Sequence, residues 1–219
     1  MHRYLVTGTD TGVGKTRVAA CIAVALRQRG EAPTIVKLVQ TGATGDRVGD
    51  AQFAGSLAQC NYAELARFIK PADPWSAALA EGLPAVHAED LALELERFEG
   101  AVVAEGAGGL AVPLNASQDF ATVAALAKLS VVLAVGLRVG CMNHALLTLS
   151  LCEERRLAVA GCVLVDRWKR SDESYVADVR RVLQGKAKML GILPFEPDGR
   201  RGVETGARLF EELPAEGEA

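Results

Sequence analysis

Val6-Thr7-Gly8-Thr9-Asp10-Thr11-Gly12-Val13-Gly14-Lys15-Thr16 is the stretch whose reading decides the fold. The apolar run Tyr4-Leu5-Val6 reads as a strand, the Gly- and Thr-rich middle as a loop, and Thr16 opens an apolar-periodic helix. That order brings several backbone N–H groups and a helix N-terminus to one point, which is a ready anion site. Lys15 adds a mobile cation for the β- and γ-phosphates of a nucleotide, and Thr16 adds a hydroxyl for Mg²⁺, as a P-loop requires. The strict pattern puts Gly at position 9, where Thr9 stands, with Gly8 one place earlier. Strand, loop, Lys-Thr and helix nevertheless follow in the correct order. The stretch reads as a nucleotide-phosphate site.

Outward from it, the helix Thr16–Arg29 carries Val18, Ala19, Cys21, Ile22, Ala25 and Leu26 on its apolar side, and Gly30 closes it. Pro33–Val39 is a second strand interrupted by Lys37. A strand covered on both faces holds a Lys when the ammonium reaches a polar site at the strand's end. Gln40–Gly45 reads as a loop. From Asp50 to Glu99 the pattern is helical and irregular, with Asp73-Pro74 as a helix start, Gly82 beyond its end, and a helix Glu89–Glu99 stopped by Gly100. Ala101–Glu105 is a third strand, and its terminal acid before Gly106-Ala107-Gly108-Gly109 has the form of a Walker-B-type Mg²⁺ ligand. Helices are expected over Asp119–Leu129, Ala145–Arg155, from a Ser171 cap to Gln184, and over Val203–Leu213; strands over Ser130–Val135, Val159–Val165 and Met189–Leu193. The acidic tail Ala215–Ala219 reads as frayed. This alternation predicts an α/β fold: a parallel sheet with helices on both faces, the P-loop NTPase fold, with ligands at the strands' carboxyl ends.

The 219 residues fit a single P-loop α/β domain over 1–219 with a helical excursion at about 50–99. With 24 basic and 27 acidic residues, nothing suggests nucleic acid or an anionic membrane as a partner. The first strand follows Met1-His2-Arg3 directly, which leaves no room for a signal peptide, and no apolar run approaches the roughly 18 residues of a membrane span. The five cysteines are odd in number and lack Cys-x-x-Cys spacing, which points to a reducing cytoplasm rather than to disulfides or zinc.

Four blocks in order resemble the dethiobiotin synthetases of biotin biosynthesis: Val6–Thr16, Lys37-Leu38-Val39-Gln40-Thr41-Gly42, Glu105–Leu114, and Val135–Ala145. Thr9 is normal at its position in that family. The resemblance implies ATP- and Mg²⁺-dependent closure of a ureido ring on 7,8-diaminononanoate with CO₂, giving dethiobiotin, ADP and phosphate. It implies Lys15 and Lys37 as the catalytic cations. It implies nucleotide contacts from Gly12, Val13, Gly14, Lys15, Thr16, Arg17, Asp50, Glu105, Gly106, Ala107 and Gly108, and from Val165, Asp166, Pro194, Phe195 and Glu196 on the base side. Thr16, Asp50 and Glu105 become the metal ligands, with Asp46 an open alternative to Asp50. Thr41 and Asn143 become substrate contacts, Asn143 from the second subunit of a homodimer.

Where better-known members present Asn and then Asp near adenine, this chain has Val165 and Asp166. The rival is a partition- or division-type switch ATPase of the same fold. Such proteins carry a second Lys at the position of Asp10, so the charge there is reversed. The related glutamine-dependent amidating synthetases need a glutaminase domain for which no length remains.

Overall fold

The computed structural model describes residues 2–44, 48–167, 169 and 172–215. Seven strands, β1 (Arg3–Gly8), β2 (Thr34–Lys37), β3 (Asn61–Glu64), β4 (Val102–Glu105), β5 (Ser130–Gly136), β6 (Val159–Val165) and β7 (Met189–Leu193), form one sheet in the order β3-β2-β4-β1-β5-β6-β7. Every pairing is parallel. Among the described residues, eight α-helices connect and flank them: α1 (Lys15–Gln28), α2 (Asp50–Ala58), α3 (Pro74–Glu81), α4 (Ala88–Glu96), α5 (Phe120–Leu126), α6 (Cys141–Glu154), α7 (Glu173–Gln184) and α8 (Gly199–Gly206).

Strand alternation builds two layers of core. Tyr4, Val6, Ile35, Val103, Val132 and Ala134 face one side, against α1, α2 and α8. Leu5, Val36, Val102, Ala104 and Val131 face the other, with Phe120 and Ala121 of α5 and Leu91 and Leu95 of α4. The same far face continues through Leu133, Val135, Cys162 and Leu164, which pack against α6 and α7. The chain moves from β1 outward to β2 and β3, returns to β4, and then crosses β1 to β5, β6 and β7. This reversal lies beside β1, so a crevice opens where the phosphate loop leaves it.

Several elements differ from the expectation. The segment from Asp50 to Glu99 is not wholly helical, since β3 lies within it and pairs with β2. Asn61-Tyr62-Ala63-Glu64 has no apolar run because it is the sheet's edge, with Asn61 and Tyr62 exposed. Helix α6 starts at Cys141 rather than at Ala145, because Gly140 at φ 92° makes the turn out of β5. Helix α8 starts at Gly199, capped by Asp198 accepting from the Arg201 N–H at 3.0 Å, and the chain then tightens into a 3₁₀ turn over Ala207–Phe210. Gly199 and Gly202 are poor helix formers and hid that start. Asp172 caps α7 by accepting from Ser174 N–H at 2.7 Å, whereas the expected cap, Ser171, lies outside the described residues. Asp46, Gly45 and residues 216–219 also lie outside them. Among the described residues no helix is long and apolar enough to cross a membrane. The five cysteines are free.

Candidate active site

Parallel pairing sets the site's geometry. Lys37, the last residue of β2, stands opposite Glu105, the last residue of β4, and Glu105 stands opposite Val6 of β1. Partners in register share a face, so the Lys37 and Glu105 side chains point together toward the start of α1. Lys37 Nζ donates to Glu105 Oε1 at 2.7 Å and to the Gly106 carbonyl at 3.2 Å, and pairs with Asp50 Oδ2 at 2.7 Å. Thr16 Oγ1 donates to the same Glu105 oxygen at 3.0 Å. The other oxygen, Glu105 Oε2, is buried without a hydrogen-bond partner.

These are costly groups to bury. Lys37 is 3% exposed and Glu105 1%. Burial pulls the Lys37 pKa down, but Glu105 and Asp50 more than offset it, and the net shift is upward. Lys37 is therefore a fixed cation. Lys15 differs: burial, opposed by Glu105 and reinforced by Lys37, lowers its pKa to about 8. Its Nζ donates to the Asp10 carbonyl at 3.0 Å. A polyanion bound beside it would favour the protonated form of this lysine.

The loop that carries Lys15 is shaped by close packing. Val13 is fully buried, and a Cβ on Gly8 would come within 2.6 Å of its side chain, one on Gly136 within 2.7 Å. Gly12 and Gly14 take φ of 73° and 104°, which side-chain-bearing residues rarely adopt. Gly14 also passes under Val165, whose Cγ1 lies 3.0 Å from where a Cβ would stand. Gly108, at φ 69°, and Gly109 bring the loop after β4 against the phosphate loop: a Cβ on Gly109 would stand 3.3 Å from the Gly8 carbonyl oxygen. Ala107 sits between Gly106 and Gly108 in the same loop.

At the ends of β6 and β7, the Asp166 N–H donates to the Leu193 carbonyl at 3.0 Å, so the two strand ends stay adjacent. Arg17 does not point along the phosphate loop; its Nη1 donates to the Pro194 carbonyl at 2.7 Å. Phe195 is 44% exposed and Glu196 partly buried beside it. Thr41 and Asn143 are not joined to the lysine–carboxylate cluster by a hydrogen bond among the described residues. Thr41 lies past β2, and Asn143 is exposed in the first turn of α6.

Three features escaped the sequence. Arg138 pairs with Asp10, and the backbone N–H of Thr11 donates to the same carboxylate at 2.6 Å, holding its pKa below the ordinary value. Arg167 donates to the Gly12 carbonyl. Gln40 Oε1 accepts from the Asp50 backbone N–H at 2.9 Å, capping α2 from earlier in the same connection, where Gly49 offers no side chain. The Arg138 and Arg167 contacts join segments remote in the chain, and no local pattern signals them.

A family model described as an AAA domain matches residues 2–201. An ATP-dependent dethiobiotin synthetase BioD of Anaeromyxobacter dehalogenans (strain 2CP-C) is 36% identical over 227 residues, covering 97% of this chain and 99% of the relative. A protein of the same name from Nitrosospira multiformis is 33% identical over 204 residues, covering 88% of each. Among solved structures, the Pyrococcus furiosus cell division ATPase MinD aligns with TM-score 0.60 at 18% identity, covering 98% of this chain and all of that one. A ParA family ATPase from Chlorobium tepidum aligns with TM-score 0.55 at 12% identity, covering 97% of each. At such identities the partition and division ATPases share the fold alone. The end-to-end relatives above 30% identity are synthetases, and with Asp10 held by Arg138 at the position that separates the two groups, the chain belongs to the ATP-dependent dethiobiotin synthetase family.

Proposed function

We propose that the chain is a dethiobiotin synthase, closing a ureido ring on 7,8-diaminononanoate with CO₂ while ATP goes to ADP and phosphate. One amine adds to CO₂ and loses a proton, giving a carbamate. A carbamate oxygen takes the γ-phosphoryl group and ADP leaves. The second amine then attacks the carbamoyl carbon and phosphate departs, forming the ring. The convergence of Lys15, Lys37, Asp50, Glu105 and Thr16 at the mouth of the phosphate loop carries this reading. Phosphoryl transfer needs positioning and charge neutralisation more than covalent help from the protein.

Mg²⁺ fits the donor set. Thr16, Asp50 and Glu105 are hard oxygen ligands, and Glu105 keeps a buried oxygen free of any hydrogen bond. No group of three or more His, Cys, Asp or Glu stands ready to hold a metal among the described residues. Two carboxylates and a hydroxyl leave places for water and phosphate oxygens, as Mg²⁺ prefers. Bound there, it would neutralise the β- and γ-phosphate oxygens. Lys15 would hold the transferred group. Lys37 spends its three N–H groups on Glu105, Asp50 and Gly106. The Asp50 side chain is 42% exposed, so it is the partner free to turn to the metal, releasing one N–H of Lys37 for the carbamate.

Mass spectrometry of a reaction holding the diamine, bicarbonate, ATP and Mg²⁺ is expected to show dethiobiotin. An unaltered diamine alongside consumed ATP would contradict the assignment.

The substrate's far carboxylate suits the first turn of α6, where the helix dipole is positive, although the Cys141 N–H already donates to the Arg138 carbonyl at 3.0 Å. Leu147, one turn beyond Asn143 on the same face, is 62% exposed, and Val139 just before the helix is 94% exposed. Such apolar exposure supports a homodimer in which Asn143 serves the partner's site. The five free cysteines suit a cytoplasmic location. Mixing inactive Lys15→Ala subunits with inactive Asn143→Ala subunits is expected to restore part of the activity, since hybrids hold one intact composite site. No recovery after proven subunit exchange would exclude a shared site.

Val165, 1% exposed, offers adenine neither a donor nor an acceptor, and an Asn amide offers both. One bidentate pair is worth about 1–3 kcal/mol of discrimination. CTP is therefore expected to support kcat/KM within about tenfold of ATP. A preference for ATP of about a hundredfold would show that another group reads the base.

A further inference from the structure

Arg17 stands in the first turn of α1, two residues after the phosphate-loop lysine, yet its guanidinium leans away from the phosphates. It donates through Nη1 to the carbonyl of Pro194 at 2.7 Å, at the point where β7 ends. Its Nε is buried with no hydrogen-bond partner. A cation that leaves one buried N–H unpaired pays a desolvation cost that the Pro194 bond must offset. The surroundings hold it there. A Cβ on Gly202 of α8 would come within 2.4 Å of Arg17 Nη2 and 3.0 Å of the Glu196 side chain, so α8 closes over the guanidinium where a glycine leaves room. Gly202 has ordinary helical backbone and is buried, so space rather than conformation is what it provides here.

We propose that Arg17 is a positioning residue: it ties the Pro194–Glu196 loop to the helix that bears the phosphate loop and so sets the base-side wall of the nucleotide site. The inference rests on the nucleotide reading above. It separates Arg17 from Lys15 and Thr16, which act on the phosphates directly. One helix turn then serves both ends of the nucleotide, the phosphates through Lys15 and Thr16 and the base through Arg17 and the Pro194 carbonyl.

The test compares two probes by calorimetry at fixed Mg²⁺: ATP, which has a base, and inorganic triphosphate, which has none. Arg17→Met is expected to weaken ATP about tenfold, as losing one charge-assisted hydrogen bond would, and to leave triphosphate within about twofold. Arg17→Lys, which keeps one donor, is expected to recover part of the ATP affinity. Gly202→Ala, which crowds the guanidinium from outside the phosphate loop, is expected to show the same split between ATP and triphosphate. Equal weakening of both probes by Arg17→Met would overturn the proposal and make Arg17 a phosphate contact. Unchanged ATP binding in both Arg17→Met and Gly202→Ala would show that the wall needs no tie, and would overturn it as well. If the wild-type protein bound neither probe, the phosphate-site reading would fail first, and this inference with it.

Discussion

Replacing Lys37 with alanine is expected to lower kcat by about a hundred- to a thousandfold, the value of one donor aimed at developing charge in a dry site, roughly 3–4 kcal/mol. Its burial adds a second consequence that the sequence did not show. Lys37 is the cation beside a carboxylate that is 1% exposed, and removing it leaves Glu105 with the Thr16 hydroxyl for a partner. Breaking such a buried pair costs up to about 3–5 kcal/mol, so thermal unfolding should move down together with activity. Millimolar Mg²⁺ is expected to return part of the lost stability, since it can sit against the same oxygens. A variant that kept more than a tenth of the wild-type kcat would reduce Lys37 to a structural cation. A variant whose melting temperature was untouched would contradict the tight pairing at 2.7 Å.

Glu105→Gln is the second large effect. An amide keeps the shape and one acceptor but loses the charge that faces Lys37, Thr16 and the proposed metal. Metal-assisted neutralisation contributes several kcal/mol to phosphoryl transfer, so turnover should fall about a hundredfold or more at millimolar Mg²⁺. The stability loss should be smaller than for Lys37→Ala, because Asp50 still pairs with Lys37. Combining Glu105→Gln with Lys37→Ala should destabilise less than the sum of the two, as expected of groups in direct contact. Strict additivity in melting experiments would mean that the two side chains do not sense each other.

Six of the seven strands could be recognised because each contains an apolar run, buried in five of them and half-buried in β7, and the phosphate loop was legible through Gly14-Lys15-Thr16. Lys37 and Glu105 were also visible, as charges at the ends of otherwise apolar strands. Their mutual contact was not, since it depends on β2 and β4 lying side by side, which follows from the sheet order and not from either strand. β3 was missed for a physical reason: an edge strand gains its place from backbone pairing, and Asn61-Tyr62-Ala63-Glu64 has no face that needs burying on both sides. The resemblance implied Arg17 as a nucleotide contact, and only the fold shows its guanidinium turned to Pro194.

Phosphate release from ATP, followed with and without the two other reactants, bears on the account most directly. A switch ATPase hydrolyses ATP without regard to a diamine, whereas a ring-closing synthetase holds the γ-phosphoryl group until a carbamate oxygen is in place to accept it. The fold offers both possibilities, and the relatives that match end to end are synthetases. Phosphate release is expected to be close to background with ATP and Mg²⁺ alone, to stay there with either diaminononanoate or bicarbonate, and to rise in proportion to dethiobiotin when both are present. Release that proceeds at the same rate without the diamine would contradict a synthase acting through Lys37.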